Sequence, residues 1–244
     1  MINFFYFLKF RKKKLSTSSI YKNLLKNKRG IEIGGPSMVF KTTLPIYHVI
    51  ADLNSVNFST ITMWEGSITE ESTFHYYWNK TGKQFIAEAT NLQKIKNDAY
   101  DFLLSSNCLE HIANPIKAMN EWIRVVKPNG YLLLVLPKKE MGFDHKRPVT
   151  TFEHILEDYK NNITEHDITH IEEILALHDL SRDRRAGDYE SFKSRSLNNF
   201  KYRGLHHHVF DMSLIENIFR YCNINLVQAD VEKKNYYALG QIKK

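Results

Sequence analysis

The stretch "NPIKAMNEWIRVVKPNGYLLLVLP", residues 114–137, constrains the fold more than any other part of this chain. Asn114 is a favourable N-cap residue, and Pro115 suits the first position of a helix. Apolar residues then recur at spacings of three and four until a Lys-Pro-Asn-Gly sequence ends the helix. The nearly all-apolar run "YLLLVLP" that follows is typical of a parallel strand covered on both faces. The stretch therefore predicts a helix that leads directly into a buried strand of an α/β sheet.

Further apolar runs predict the rest of this sheet. They are "GIEI" (30–33), "VIADLN" (49–54), "QFIAEAT" (84–90) and "YDFLLSS" (100–106). Near the end of the chain, an amphipathic helix "MSLIENIFRYC" precedes two strands, "INLVQADVEKK" and "NYYALGQIK", joined by a tight turn. Strands that alternate with helices and finish in a hairpin predict a mostly parallel sheet with an antiparallel edge.

The region between the buried strand and the terminal helix contains no convincing strand. It is polar and rich in His and Asp, and its segments "TTFEHILEDYK" and "DITHIEEILALHDL" favour helices. Structure inserted beside the carboxyl edge of a sheet usually contacts the substrate. We therefore predict a basic N-terminal segment (1–28) and one domain (29–244) that carries an acceptor-side insertion at 138–205.

The net charge of +7 is confined to the N-terminus, where residues 1–29 hold nine Lys and Arg and no acid. The remaining chain has 25 basic and 27 acidic residues, so no nucleic-acid partner is expected. The start, "MINFFYFLKFRKKKL", is too short to span a bilayer, and its basic residues follow the apolar ones, unlike in a secretory signal. It is either a packed helix or a weak membrane-surface contact through residues 1–14.

The two cysteines, Cys108 and Cys222, form no disulfide framework and are expected to be reduced. This composition favours a cytoplasmic protein, with peripheral contact at the inner face of a membrane as the alternative. The oligomeric state is left open by the sequence.

Polar residues and glycines stand at the ends of the predicted strands, where open α/β sheets bind ligands. They include Gly34 and Gly35 in "IEIGGPS", which matches neither a phosphate-binding loop nor G-x-G-x-x-G. Asp52 follows Gly34 by 18 residues, near the spacing at which an acid meets ribose hydroxyls. An edge with several acids suits a cationic nucleoside better than a pyrophosphate.

The segments "IEIGGPS", "ADLN", "EATNL", "YDFLLSSNCLEHIANPIKAMNEWIRVVKPNGYLLLVLP" and "HHHVFDMSLIENIF" resemble the class I S-adenosylmethionine-dependent methyltransferases of the type 11 group. The resemblance covers residues 29–137 and 205–242. It implies a Rossmann-like α/β fold, with a seven-stranded mostly parallel sheet, an antiparallel C-terminal hairpin and a helical insertion after the fifth strand. It also implies S-adenosylmethionine as cofactor and S-adenosylhomocysteine as product.

The resemblance assigns cofactor contacts position by position. They are Glu32 and Gly34 beside the methionine part, Asp52 on the ribose hydroxyls, Leu53, Glu88 and Ala89 around the adenine, and Ser106 or Asn107 near the sulfonium. Gly35 is also expected to bind the cofactor. Each acid also has a purely structural alternative, as a solvated residue, a cap or the partner of a lysine.

Methyl transfer to a hydroxyl needs a general base or a metal ion, and eight of the eleven histidines fall at or after His145. The candidate bases are His145, His206, His207, His208 and, nearer the cofactor motif, His111, which could instead cap the next helix. His166 and His170 are four residues apart and Glu173 follows by three, a spacing compatible with metal binding on one face of a helix. Because the third ligand is not clearly assigned, no metal site is predicted.

The expected acceptor is a hydroxyl of a sugar, a glycan intermediate or another small polar molecule, consistent with a role in polysaccharide biosynthesis. A catalytically inactive, cofactor-binding scaffolding module is the alternative. A dehydrogenase is disfavoured because G-x-G-x-x-G is missing.

Overall fold

The computed structural model describes residues 14–64 and 66–244 of the chain. Its strands are β1 (Arg29–Ile33), β2 (Asp52–Asn57), β3 (Ile61–Thr62), β4 (Gly66–Ser67), β5 (Thr73–Tyr77), β6 (Lys80–Ile86), β7 (Tyr100–Ser106), β8 (Val126–Pro137), β9 (Ile224–Val231) and β10 (Asn235–Ile242). Eight of them form one sheet in the order β5-β6-β2-β1-β7-β8-β10-β9, and β3 pairs separately with β4.

Five neighbouring strands of the sheet, from β6 to β8, run parallel. β10 is antiparallel to both β8 and β9, which confirms the mostly parallel sheet with an antiparallel C-terminal hairpin. The sheet has eight strands rather than the predicted seven, because β5 pairs antiparallel with the outer edge of β6. The short sequence of β5, "TFHYY", alternates exposed and buried residues, as a half-buried edge strand does.

The helices are α1 (Ser18–Leu25), α2 (Met38–Lys41), α3 (Pro115–Val125), α4 (Phe152–Lys160), α5 (Ile171–Leu177), α6 (Tyr189–Leu197), α7 (Asn199–Tyr202) and α8 (Met212–Tyr221). The predicted transition from α3 into a buried strand is confirmed. β8 begins at Val126, directly after the helix, and so includes residues 127–130, which were predicted to separate the helix from the strand. The Asn114 side chain caps α3 by accepting a hydrogen bond from the Lys117 N–H at 3.0 Å.

The sheet separates two apolar cores. Successive residues of β8, such as Leu132 and Leu133, belong to different cores because side chains alternate between the faces of a strand. Trp122 of α3 lies in the first core, which α8 also covers. Tyr21 of α1 and Phe40 of α2 lie in the second. The three-layer arrangement leaves the carboxyl edge of the parallel strands open to a ligand.

The described part of the predicted N-terminal segment packs on the sheet. Tyr21 and Leu25 of α1 are fully buried, and the Tyr21 hydroxyl donates a hydrogen bond to Asp230 in β9 at 2.6 Å. Residues 1–13 lie outside the described residues, and with them nearly all of the segment for which membrane-surface contact was one of the two alternatives. Among the residues that the structure describes, no helix has the length and apolarity needed to cross a membrane.

The insertion at 138–205 is helical, and it follows the fifth parallel strand, as predicted. It contains α4 to α7, with α4 and α5 inside the two segments that favoured helices. A small apolar cluster that includes Ile174, Phe192 and Leu205 holds part of it together. The insertion is thus a folded layer beside the sheet edge.

Candidate active site

A cavity of about 870 Å³ opens at the carboxyl ends of the parallel strands. Each of the five strands contributes a lining residue: Gly34 after β1, Asn57 at the end of β2, Glu88 after β6, Asn107 after β7 and Lys138 after β8. The insertion and the segment after it add further lining residues, among them Phe143, Asp144, Arg195, His206 and His208. The cavity therefore lies between the sheet edge and the predicted acceptor-side region, where open α/β sheets bind ligands.

Glu32 supports the glycine loop through hydrogen bonds and is not among the residues that line the cavity. Its carboxylate is fully buried and accepts hydrogen bonds from the Ser37 N–H at 3.1 Å, the Ser37 hydroxyl at 2.6 Å and the Tyr47 hydroxyl at 2.6 Å. Gly35 has no room for a side chain, because a Cβ there would lie 2.4 Å from Glu32 Cδ. Gly34 adopts φ +76° and lines the cavity. The two glycines thus let the loop fold over Glu32 and face the ligand.

Burial raises the pKa of Glu32 to about 7, although the hydrogen bonds from Ser37 and Tyr47 act in the opposite direction. The folded protein therefore holds a proton on this carboxyl at pH values where the unfolded chain has lost it. Stability consequently falls as the pH rises from the ordinary Glu pKa to about 7, and it stays at the lower value above that.

Glu32→Gln should remove this part of the pH dependence. We expect the variant to gain about 3 kcal/mol relative to the wild type between pH 5 and pH 8. Urea unfolding of both proteins at the two pH values measures the difference. The matched control is Glu216→Gln, which changes an exposed carboxylate on α8. A wild-type-to-variant difference that stays constant with pH would contradict the assignment.

The predicted placement of Asp52 and Leu53 is wrong. The second strand spans Asp52–Asn57 rather than 49–54, so Asp52 begins it. Asp52 lies opposite Arg29, with Arg29 Nε 3.4 Å from its carboxylate, at the edge of the sheet away from the cavity. Leu53 is fully buried in the core. Asn57 occupies the carboxyl end of the strand, and the prediction missed it because "DLNSVN" is less apolar than the residues before it.

The other cofactor candidates lie at the cavity. Glu88, Ala89, Ser106 and Asn107 all line it. The predicted strand at 84–90 is shifted, because β6 spans Lys80–Ile86 and leaves Glu88 and Ala89 in the loop beyond its end. The Ala89 carbonyl accepts a hydrogen bond from the Trp122 indole at 3.0 Å, which fixes this part of the loop.

Arg203 ties the end of the insertion to this loop. Its guanidinium is 2.7 Å from the Glu88 carboxylate and 2.9 Å from that of Glu165. It also lies over the rings of Phe58 and Phe200, with centroid distances of 5.2 and 5.0 Å. Glu88 is therefore held by a cation of the protein itself, a contact that joins residues 115 positions apart.

Two histidines, His111 and His206, lie side by side in the wall of the cavity. His111 Nδ1 is 2.8 Å from the Leu205 carbonyl, so this nitrogen carries the proton and Nε2 keeps its lone pair. His206 Nδ1 is hydrogen bonded to Asp144, which also accepts from Arg147 at 3.0 Å. The two imidazole centroids are 4.6 Å apart. The structure thus brings two of the predicted bases together.

Their surroundings shift the pKa values in opposite directions. Desolvation lowers the pKa of His111 well below its usual range. Desolvation also acts to lower the pKa of His206, but the Asp144 carboxylate outweighs it and the pKa is raised. His206 is therefore the more basic of the two rings.

Glu110 is a third polar group at this wall, and the sequence did not single it out. It is 1% exposed, it lines the cavity, and both carboxylate oxygens lack a hydrogen-bond partner among the described residues. Burial raises its pKa to about 7. An unpartnered buried carboxyl can receive a polar group of a ligand.

The remaining histidine candidates have structural contacts. His145 pairs with Asp179 at 2.8 Å and is not among the cavity-lining residues. His207 is buried against Asn199 at 3.0 Å, and burial lowers its pKa to about 3. His208 lines the cavity, but its Nε2 is 2.8 Å from Asp158.

The set His166, His170 and Glu173 is not brought together. His166 stacks on Phe200 with a centroid distance of 3.8 Å, and Glu173 accepts a hydrogen bond from Arg147 at 2.7 Å. His170 instead faces His154. The intervals of four and three between these residues in the sequence therefore did not identify residues that are close in the structure.

Part of the chain matches a known protein family, and its fold is similar to that of solved structures. Residues 69–134 match the family model of a methyltransferase domain. A SAM-dependent methyltransferase from Methanosarcina mazei aligns with 92% of this chain and 97% of its own, at 15% identity and a TM-score of 0.51. One from Aquifex aeolicus aligns with 93% and 89%, at 13% identity and a TM-score of 0.48. No curated protein sequence matches the chain. The Methanosarcina likeness shows the fold.

Proposed function

We propose that the chain is a class I S-adenosylmethionine-dependent methyltransferase and that it methylates a hydroxyl group of a small polar acceptor. The observation that carries the choice of a hydroxyl is the pair His206–Asp144 at the cavity wall. A hydroxyl must lose its proton as it is methylated, so a positioned base is needed.

The residues at the strand ends fit the cofactor. Gly34 exposes the loop backbone to the cavity, and Asn57 provides an amide at the end of β2, where ribose hydroxyls would lie. Phe58 and Ala89 supply apolar surface for an adenine, and Asn107 lines the adjoining wall. When bound, S-adenosylmethionine supplies a methyl group on a sulfonium, which needs no acid to activate its departure.

His206 is the proposed base. Asp144 accepts the hydrogen bond from Nδ1 and so fixes both the orientation and the tautomer of the ring, leaving Nε2 to take the acceptor proton. Asp144 is itself held by Arg147, which is 1% exposed. Glu110 and His111 then offer polar contacts that orient the acceptor hydroxyl toward Nε2.

Lysines at the cavity suggest that the acceptor also carries negative charge. Lys138, Lys139, Lys233 and Lys234 line it, and within residues 14–64 and 66–244 none of the four forms an ion pair. Three arginines of the region, Arg147, Arg182 and Arg203, are instead committed to internal carboxylates. A phosphorylated or nucleotide-linked sugar combines hydroxyls with an anionic group, which supports a role in polysaccharide biosynthesis.

Transfer of a labelled methyl group from S-adenosylmethionine tests the proposal. We expect turnover of nucleotide-linked or phosphorylated sugars, with the label on oxygen in the product. Matched acceptors that lack either the sugar hydroxyls or the phosphate should react much more slowly. Label found only on nitrogen or carbon would contradict the choice of a hydroxyl. Cofactor binding without turnover of any acceptor would favour the scaffolding alternative.

A further inference from the structure

Three histidines and one aspartate, from the insertion and from the segment that follows it, converge at one point. His154 and Asp158 lie one turn apart on α4, His170 directly precedes α5, and His208 lies between α7 and α8. One potential ligand atom from each of the four lies within 4.8 Å of all the others. Residues that are separated by as many as 54 positions thus form one compact cluster.

The spacing of these atoms is that of a coordination shell. His154 Nε2 is 3.1 Å from His170 Nε2 and 3.4 Å from Asp158 Oδ2, and His208 Nε2 is 2.8 Å from the same oxygen. Tetrahedral zinc with ligand bonds of about 2.0–2.2 Å places its ligand atoms roughly 3.3 Å apart. The three separations given above scatter around this value, and the other three are at most 4.8 Å.

The three imidazole rings are crossed rather than stacked, and His154 and His208 meet at 55°. His154 and His170 meet at an interplanar angle of 74°, and His170 and His208 meet at 73°. Crossed planes of this kind are compatible with imidazoles that each direct one nitrogen at the same ion.

Hydrogen bonding alone satisfies the cluster poorly. In a neutral ring each nitrogen is either a donor or an acceptor, and His154 Nε2 faces both the Asp158 carboxylate and His170 Nε2. The nitrogen must therefore either share one N–H between two acceptors or set its lone pair against one of them. A divalent cation binds all four lone pairs at once and balances the buried charge of Asp158.

We propose that His154, Asp158, His170 and His208 bind one Zn²⁺ ion. Three imidazoles and a carboxylate in tetrahedral arrangement suit zinc, and four protein ligands make a closed, structural site. The ion would join α4, the start of α5 and the segment 206–211. Because His208 follows His206 by two residues, the ion also positions the proposed base. The site does not depend on the proposed acceptor.

Metal analysis of the full chain, purified with zinc supplementation, tests the site without an activity readout. We expect one zinc per chain in the wild type and less than about 0.1 per chain in His154→Ala and Asp158→Asn. His166→Ala, in the same insertion but outside the cluster, is the matched control and should keep its zinc. Equal zinc content in His154→Ala and the wild type would overturn the site, as would a zinc-free wild type.

Two further measurements keep the test decisive if a cluster variant folds poorly. Titration of the metal-free wild type should show one Zn²⁺ per chain, and saturation at about 100 times the dissociation constant should raise the Tm by about 5–10 °C. Glu110→Gln separates this cluster from the neighbouring group of Glu110, His111 and His206. Zinc retained in Glu110→Gln supports the proposal, whereas zinc lost there and retained in His154→Ala overturns it.

Discussion

Replacing His206 by alanine should lower kcat by about 10²–10⁴-fold, the usual contribution of a general base. The dissociation constant for S-adenosylhomocysteine should change little, because the cofactor residues lie at the strand ends and His206 lies beyond them. Steady-state kinetics with the acceptor found by screening, together with calorimetry of cofactor binding, measure both quantities. Circular dichroism of the variant verifies that it is folded.

His145→Ala is the matched control for this prediction. His145 also forms a histidine–aspartate pair, with Asp179 at 2.8 Å, but it does not line the cavity. It should keep kcat within about threefold of the wild type, since it has no access to the acceptor. Similar losses in the two variants, or an unchanged kcat in His206→Ala, would remove His206 from the proton transfer.

Gly34→Val should weaken cofactor binding roughly 100-fold, a loss comparable to the cost of overpacking a close-fitting site. Gly34 has φ +76°, where a β-branched residue is strongly disfavoured, and its position lines the cavity. A valine there must therefore either fill space that the cofactor needs or shift the loop. Calorimetric titration with S-adenosylhomocysteine measures the loss.

Gly66→Val separates this effect from backbone strain. Gly66 has φ +67°, and a Cβ there would meet no atom within 4 Å. Both variants therefore carry a similar conformational cost, but Gly66 is not among the cavity-lining residues. We expect Gly66→Val to lose stability and to keep its affinity. Equal affinities in the two variants would mean that the glycine loop does not face the cofactor.

Elements with a strong local signal were predictable from the sequence. The capped helix α3, the strand Tyr100–Ser106 and the apolar part of β8 lie where their patterns placed them, although β8 begins at Val126, before the predicted strand. The strand Asp52–Asn57 was misplaced because several of its buried residues are polar. One of them, Asn54, donates to the Tyr100 hydroxyl at 2.8 Å and accepts from the Lys83 N–H at 2.8 Å. These partners are far away in sequence, so local hydrophobicity could not reveal the strand.

The part of the site at the strand ends was predictable from the sequence, whereas the part formed by the insertion was not. Gly34, Glu88 and Asn107 follow strand ends, and the topology alone brings them to one edge of the sheet. Asp144 and His206 are 62 residues apart, and the fold of the insertion decides that they meet. The same holds for the zinc cluster, whose members lie on three segments. A histidine count indicated the region but could not select the ring that reaches the cavity.

Calorimetric titration of the wild-type chain with S-adenosylhomocysteine, with NAD⁺ as the control ligand, tests the central claim most directly. The account predicts one binding site with a dissociation constant on the order of micromolar, and no heat of binding from NAD⁺. Absence of S-adenosylhomocysteine binding by the folded chain, or binding of NAD⁺ in its place, would contradict the assignment of this cavity to methyl transfer.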